Sequence, residues 1–132
     1  MEYAFITSFA MNWFLIGLSA IAVINPAIPL YLSIVLKPNE TILGITKEKI
    51  TLASNICGWL EGRSRFARLG LMVHISSSFM QPGIDNQQVL EISNMGHVPL
   101  RLHAGTKICH FVFQKTIGKA KYTGKFKSQR EP

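Results

Sequence analysis

Residues 61–94 read EGRSRFARLGLMVHISSSFMQPGIDNQQVLEISN, and this stretch shows how the chain is organised. Its apolar runs are short, and turn-forming residues such as Pro82-Gly83 separate them. Short apolar runs bounded by Gly, Pro, Asn or Ser are typical of β-strands. The stretch therefore predicts a domain of the all-β class.

The same alternation of short runs and turns begins after Lys37. The strands it predicts are Thr41 to Ile45, Lys49 to Ser54, Leu71 to Ile75, Val89 to Ser93, Leu100 to His103 and Lys107 to Phe113. One short helix is expected from Ser64 to Leu69, with Ser64 as its N-cap and Gly70 as the residue that ends it.

A basic turn surrounds the start of this helix. If Ser64 caps the helix, Arg68 returns to the same face, so that Arg63, Ser64 and Arg68 converge. Backbone N–H groups at a helix start also favour anions. The turn is therefore predicted to bind phosphate or another polar ligand, and an exposed basic turn without a ligand is the alternative.

A glutamate stands inside the predicted strand from Val89 to Ser93. Strand alternation sends Leu90 and Ile92 to one face and Val89, Glu91 and Ser93 to the other. A carboxylate beside apolar side chains can transfer protons near neutral pH. Glu91 is therefore the candidate acid/base, and a glutamate facing solvent is the alternative.

The length of 132 residues predicts one domain with one core. The net charge of +7 is concentrated near the C-terminus, which favours either a polyanionic partner or a solvated tail. Cys57 and Cys109 lie far apart, and neither they nor the histidines show zinc-ligand spacing. We therefore expect no protein-bound metal, no zinc, and a reducing, cytoplasmic location.

The N-terminal region has a different composition, because no charged residue occurs from Tyr3 to Leu36. The stretch from Ala4 to Ile24 alone is long enough to cross a bilayer as a helix. We therefore separate residues 1–29, a membrane anchor or an atypical start, from a domain of residues 30–132. Membrane association through residues 3–36 and replacement of a β-layer both remain open.

Taken together, the motifs resemble the dCTP deaminase branch of the dUTPase-like superfamily. The matching patterns are E-G-R-S-x-x-A-R-L-G-L-x-V-H at 61–74, P-G at 82–83, L-E-x-S-N at 90–94 and P-L-x-L-x-x-G-x-x-I at 99–108. Residues 122–130 are more weakly similar to the family's Y-x-x-K-Y-x-x-Q-R, because Phe126 replaces the second tyrosine. The resemblance implies a dUTPase-like distorted β-barrel or jelly roll. It also implies a homotrimer with sites shared between subunits, and dCTP rather than nucleic acid as the partner.

The activity implied by the resemblance is metal-free hydrolysis of dCTP to dUTP and ammonia. Glu91 matches the proton-shuttling glutamate, and Ser64 and Arg68 match the residues that hold the attacking water and the developing charge. Mg²⁺ would accompany the triphosphate. The substrate-binding residues implied are Arg63, Ser64, Arg65, Arg68, Gln81, Val89, Leu90, Tyr122, Lys125 and Gln129.

Two departures from the family pattern leave alternatives open. Gln81 stands where an aspartate usually precedes P-G, and an amide cannot deprotonate water, so dUTP is expected as the product. A bifunctional enzyme giving dUMP is the alternative, with Asp85 as the base. Nothing between Met1 and Leu30 resembles the family's first strands, so a non-catalytic nucleotide-binding relative is a further alternative.

Overall fold

The computed structural model describes residues 33–130 and, nearer the N-terminus, the backbone of four short strands. The predicted boundary between residues 29 and 30 lies outside the described residues. The elements of the described part are β1 (Ala4–Ile6), β2 (Met11–Asn12), β3 (Ile16–Gly17), β4 (Ala20–Ile21), β5 (Ser33–Leu36), β6 (Thr41–Thr51), β7 (Ile56–Gly62), α1 (Ser64–Ala67), β8 (Leu71–Met72), β9 (Phe79–Met80), β10 (Asp85–Asn94), β11 (Leu100–His103) and β12 (Cys109–Lys115).

Two four-stranded sheets form the body of the domain, in the orders β1-β12-β7-β9 and β2-β6-β10-β8. Two further pairs, β11 with β5 and β3 with β4, complete the described strands. The described strands pair in antiparallel fashion. The all-β prediction is therefore confirmed.

β10 follows the alternation that its sequence predicts. Leu90 and Ile92 have no exposed side-chain surface and pack in the core between the sheets, whereas Val89 and Glu91 are half-buried on the other face. Ser93 is buried as well, and a hydrogen bond of 2.7 Å to the Thr41 hydroxyl satisfies its own hydroxyl. The core residues thus orient Glu91 towards the opposite side of the strand.

β12 supplies the aromatic part of the core. Phe111 is fully buried, and its ring stacks on that of Phe113 with 4.7 Å between the centroids. Cys109 on the same strand is also buried, and this burial raises the pKa of its thiol to about 11. Burial of a thiol disfavours the thiolate, so Cys109 behaves as a small apolar core residue.

β6 differs from its prediction, because one strand of 11 residues replaces the two strands expected at Thr41 to Ile45 and Lys49 to Ser54. The polar residues 46–48 do not break the strand. Their register against β10 shifts instead, with Ile45 opposite Val89 and Lys49 opposite Gln87. Residues 46–48 of β6 therefore lie opposite a single residue of β10, Gln88. Such an irregularity changes the direction in which nearby side chains point.

The predicted helix is shorter and is capped differently. It spans Ser64–Ala67, its N-cap is Arg63 rather than Ser64, and no side chain caps it. The following N–H groups of Leu69 and Gly70 bond carbonyls three residues back, which tightens the end of the turn. Gly70 ends it as predicted, with a φ of 88°.

Gly70 lies where the turn crosses the loop after β10. A Cβ atom at this position would lie 2.3 Å from the Gly96 nitrogen, so only glycine fits both the space and the positive φ. The Met95 N–H also bonds the Gly70 carbonyl at 2.8 Å. α1 is therefore anchored at the Asn94 end of β10.

Backbone pairing extends into the apolar N-terminal region. β1 pairs with β12, and β2 pairs with β6 at Met11 opposite Thr46. Within the described residues, no helix combines the length and the apolar character needed to cross a membrane. Most of residues 3–36, for which membrane association was an expectation, lies outside the described part.

Candidate functional site

A cavity of about 260 Å³ lies between β9, residues 86–91 of β10 and the C-terminal tail, which we define as residues 116–130. Five residues of the predicted site line it, namely Gln81, Val89, Glu91, Tyr122 and Gln129. The remaining lining residues, none of them in the predicted set, are Ser77, Phe79, Ile84, Asn86, Gln87, Gln88 and Phe126.

Glu91 provides the carboxylate of this cavity. Its Oε2 atom accepts a hydrogen bond from the Ile75 backbone N–H at 3.3 Å. The side chain is half-buried, and Leu43 of β6 lies opposite it in the strand register. The carboxylate is thus oriented by the backbone of the segment between β8 and β9, while one side remains accessible from the cavity.

Amide side chains form most of the polar lining around Glu91. Gln88 donates to the Asn86 side chain at 2.5 Å, and Asn86 in turn donates to the Phe126 carbonyl at 2.7 Å. Gln87 donates to the Thr46 carbonyl at 2.7 Å, and the Thr46 hydroxyl accepts the Gln88 N–H at 2.9 Å. The register shift between β6 and β10 thus lies at these amides, and the bond from Asn86 to Phe126 links them to the tail.

The tail is docked along β10 rather than extended into solvent. The Tyr122 N–H bonds the Pro82 carbonyl at 2.8 Å. Further along, the N–H groups of Asp85 and Gln87 donate to the carbonyls of Lys127 and Gln129, at 3.0 and 3.1 Å. These bonds bring Tyr122 and Gln129, two of the residues for which substrate binding is predicted, to the cavity.

Asp85 does not line the cavity, although it lies at the start of β10. Its carboxylate lies 2.7 Å from the Lys49 ammonium and accepts a hydrogen bond from the Thr51 hydroxyl at 2.5 Å. Hydrogen bonding to Lys49, then to Thr51, holds the pKa of Asp85 below its ordinary value. The group is therefore an ionised partner of Lys49 and Thr51.

The predicted residues of α1 lie outside this cavity. Ser64, Arg65 and Arg68 are exposed, and the Arg68 N–H bonds the Ser64 carbonyl at 3.0 Å, so these two residues are one helical turn apart. Arg63 instead donates from Nη1 to the Lys107 carbonyl at 3.2 Å. The turn is thus presented outward from its own chain.

Two further predicted residues take other positions. Leu90 is fully buried, so its side chain belongs to the core and only its backbone is available to a ligand. Lys125 is exposed, with its ammonium 5.7 Å from the centre of the Phe126 ring.

The amides of Asn86, Gln87 and Gln88 and the rings of Phe79 and Phe126 line the cavity but were not predicted from the sequence. Strand alternation alone could have predicted that Gln87 lines the cavity, because Gln87 lies on the same face of the strand as Val89 and Glu91. Gln88 depends on the register shift, and Phe126 depends on tail docking. Phe79 and Phe126 are about half exposed, at 53% and 52%, and form apolar walls at the cavity.

No cluster of three or more His, Cys, Asp or Glu side chains with metal-binding geometry occurs in the part of the chain that the structure describes. Glu91 is the acidic residue among the described residues that line the cavity.

A family model of dCTP deaminase-like domains matches residues 24–116. The chain belongs to the dCTP deaminase-like family. The dCTP deaminase of Idiomarina loihiensis is 49% identical over 81 residues, which cover 61% of this chain and 42% of that protein. The dCTP deaminase of Tolumonas auensis is 42% identical over 102 residues, covering 73% and 53%.

Other relatives are named for the formation of dUMP. The dCTP deaminase, dUMP-forming, of a Nocardioides species is 36% identical over 105 residues, covering 74% of this chain and 55% of that protein. The chain thus spans about half the length of the curated relatives it matches.

Solved structures with a similar fold include a dUTPase and a dCTP deaminase. Native dUTPase of EIAV has a TM-score of 0.58 at 21% identity, with 70% of this chain and 75% of that chain covered. The dCTP deaminase of Agrobacterium tumefaciens has a TM-score of 0.60 at 20% identity, with 67% and 27% covered. The predicted dUTPase-like fold is confirmed.

Proposed function

We propose that this chain carries out the hydrolytic deamination of dCTP to dUTP and ammonia. The observation that carries the proposal is the position of Glu91, a half-buried carboxylate oriented by the Ile75 N–H and open to a cavity. The names of the curated relatives support the same substrate. An oriented carboxylate with one accessible side is what a proton shuttle requires.

Glu91 performs the proton transfers in this proposal. Protonated Glu91 donates to ring N3 of the cytosine and accepts a proton from the water that adds to C4. It then passes a proton to the amino group, which leaves as ammonia, and takes the proton of the C4 hydroxyl as the carbonyl forms. The amides lining the cavity supply neutral hydrogen-bond donors and acceptors for a pyrimidine. The backbone of Val89 and Leu90 contacts the base, and Phe79 and Phe126 pack against it or the sugar.

The remaining polar groups of the site come from a neighbouring subunit. The described residues that line the cavity include no Lys or Arg, whereas a triphosphate requires cations. Ser64, Arg65 and Arg68 are exposed on their own chain and lie outside its cavity. We therefore assign to α1 of a second copy the task of holding the water and the phosphates, within a homotrimer.

The tail completes the substrate site from its own chain. Tyr122 and Gln129 already line the cavity, and the exposed Lys125 ammonium is available to the phosphates. Mg²⁺ arrives with the triphosphate, because hard cations prefer several oxygen ligands and the cavity offers one carboxylate, that of Glu91.

The product is dUTP in this proposal because the cavity holds no second carboxylate among its described lining residues. Gln81 occupies the position expected for a base beside the phosphates, and the Asp85 carboxylate is engaged by Lys49 and Thr51. The dUMP-forming relatives favour the bifunctional reaction as the second candidate.

The test is incubation of the purified protein with dCTP and Mg²⁺, followed by chromatographic separation of nucleotides. We expect dUTP to accumulate in step with ammonia. Accumulation of dUMP and pyrophosphate without free dUTP would establish the second candidate instead. Saturable dCTP binding without turnover would refute the proposed reaction and favour a non-catalytic nucleotide-binding protein.

A further inference from the structure

Asp85 is engaged from two sides by groups that lie far from it in sequence. Its carboxylate is held on the β6 side by Lys49 and Thr51. From the tail, Arg130 donates from Nη1 to the Asp85 carbonyl at 3.0 Å, and its Nη2 atom lies 3.7 Å from Oδ2. One residue of β10 therefore joins β6 to the end of the described tail.

The Arg130 guanidinium continues the backbone pairing between tail and strand. The Asp85 N–H donates to the Lys127 carbonyl, so both backbone groups of Asp85 are directed at the tail. In a strand, the N–H and carbonyl of one residue point to the same side. The Arg130 side chain thus donates to the Asp85 carbonyl, which would accept from a backbone N–H if a neighbouring strand lay there.

This attachment determines where the cavity-lining part of the tail lies. Within the docked segment, the Phe126 carbonyl accepts from the Asn86 side-chain amide, and the Gln129 carbonyl accepts from the Gln87 N–H. Tyr122 packs against the core at the other end. Loss of the Arg130 contacts would remove the hydrogen bond to the Asp85 carbonyl and the ion pair with its carboxylate, and a segment held by fewer contacts opens more readily.

We propose that Asp85 and Arg130 form a clasp that holds residues 122–130 over the cavity of their own chain. Asp85 is then a positioning residue, which keeps Gln129 and Phe126 at the substrate site, and it is not the base of a second reaction. The kinetic part of this proposal rests on the proposed deamination, whereas the structural part does not.

The structural part is tested by amide hydrogen exchange at Asp85 and Gln87, whose N–H groups bond the tail. In Arg130→Gln we expect exchange at both amides to accelerate about three- to fivefold, the size expected for loss of an exposed ion pair with one hydrogen bond. Asp85→Asn should accelerate it less, because the carbonyl that accepts from Arg130 remains. Lys119→Gln removes the same charge from an exposed tail position and should leave exchange unchanged.

The kinetic part is tested with the same proteins and dCTP. We expect KM to rise about threefold in Arg130→Gln, in line with the loss of one exposed ion pair, while kcat stays within about twofold of the wild-type value. Arg130→Lys should recover part of the change, because it keeps the charge and loses the planar fork.

The possible results separate the clasp from the proposed reaction. Unchanged exchange in Arg130→Gln would overturn the clasp whatever the enzyme does. Faster exchange with unchanged KM would overturn the positioning role. A kcat for Asp85→Asn reduced about a hundredfold would assign Asp85 to acid/base chemistry instead. Wild-type protein that exchanges as expected but fails to deaminate dCTP would refute the proposed function and leave the clasp standing.

Discussion

The cavity beside β10 and the α1 turn carry the residues expected for one reaction, but only those beside β10 line a cavity of their own chain. Glu91 lies in a cavity built from the strand, its neighbours and the tail of the same chain. Ser64 and Arg68 are exposed on a one-turn helix outside that cavity. This difference is the basis of the proposal that one chain holds the proton-transfer half of a site and presents the cationic half to a neighbour.

The largest effect is expected at the half of the site that the chain builds for itself. Glu91→Gln retains an acceptor for the Ile75 N–H and removes the proton-transferring group. We expect kcat to fall roughly 100- to 10,000-fold while dCTP binding is largely kept. Steady-state kinetics and calorimetric binding measure the two quantities, and a variant with more than about half of the wild-type kcat would exclude Glu91 as the acid/base.

At the exposed half, Arg68→Ala should lower kcat about 100- to 1,000-fold, because it removes charge stabilisation near the reacting water. The fold should be unaffected, since Arg68 is exposed. Arg101→Gln is the matched control, because it removes an exposed arginine that bonds Ser33 at 3.1 Å on β5. Equal losses in the two variants would argue against a specific role for Arg68.

The contrast between the two regions also predicts their contributions to stability. Leu90→Ala should lower the free energy of unfolding by about 2–5 kcal/mol, because Leu90 is fully buried. Ser64→Ala should change it by less than about 0.5 kcal/mol, because no side chain caps α1. Urea denaturation measures both. A loss above about 1 kcal/mol for Ser64→Ala would restore its predicted role as a cap.

The smallest effect is expected from removal of zinc. With Mg²⁺ supplied, a zinc-selective chelator should leave the rate of deamination within about 20% of the untreated value, because proton transfer is assigned to Glu91 and not to a metal-bound water. Ammonia release measures the rate. Loss of activity that zinc alone restores would overturn the metal-free mechanism.

Sequence patterns predicted the regular parts of this fold well. The strand from Leu100 to His103 has the bounds expected of it, and the strand containing Glu91 buries Leu90 and Ile92 as alternation requires. These features depend on period-two burial, which a single sequence displays directly. The resemblance to dCTP deaminases came from motif spacing and is confirmed by the family match.

The irregular parts depend on contacts that alternation does not encode. Polar residues 46–48 suggested a break between two strands, whereas the backbone accommodates them in one strand by a register shift. Ser64 has the composition of an N-cap, but Arg63 takes that position, and the Arg63 N–H bonds the Ile108 carbonyl at 3.0 Å. Long-range contacts of this kind override local propensity.

The path of the tail along β10 is the other feature that the sequence did not reveal. Its basic composition fits a solvated segment, and the clasp at Asp85 pairs residues 45 positions apart. From the sequence alone, Asp85 is a candidate base for a bifunctional enzyme. Its contacts with Lys49, Thr51 and Arg130 now favour a positioning role.

The most direct test of the shared site is a mixture of two inactive variants. Glu91→Gln and Arg68→Ala copies are denatured together in equal amounts, refolded, and assayed for deamination of dCTP, with each variant refolded alone as the control. If α1 of one copy completes the cavity of the next, about a quarter of the sites pair two intact halves, and activity returns to about that fraction of the wild-type value. If each chain forms a complete site, the mixture stays as inactive as its components, and the account is contradicted.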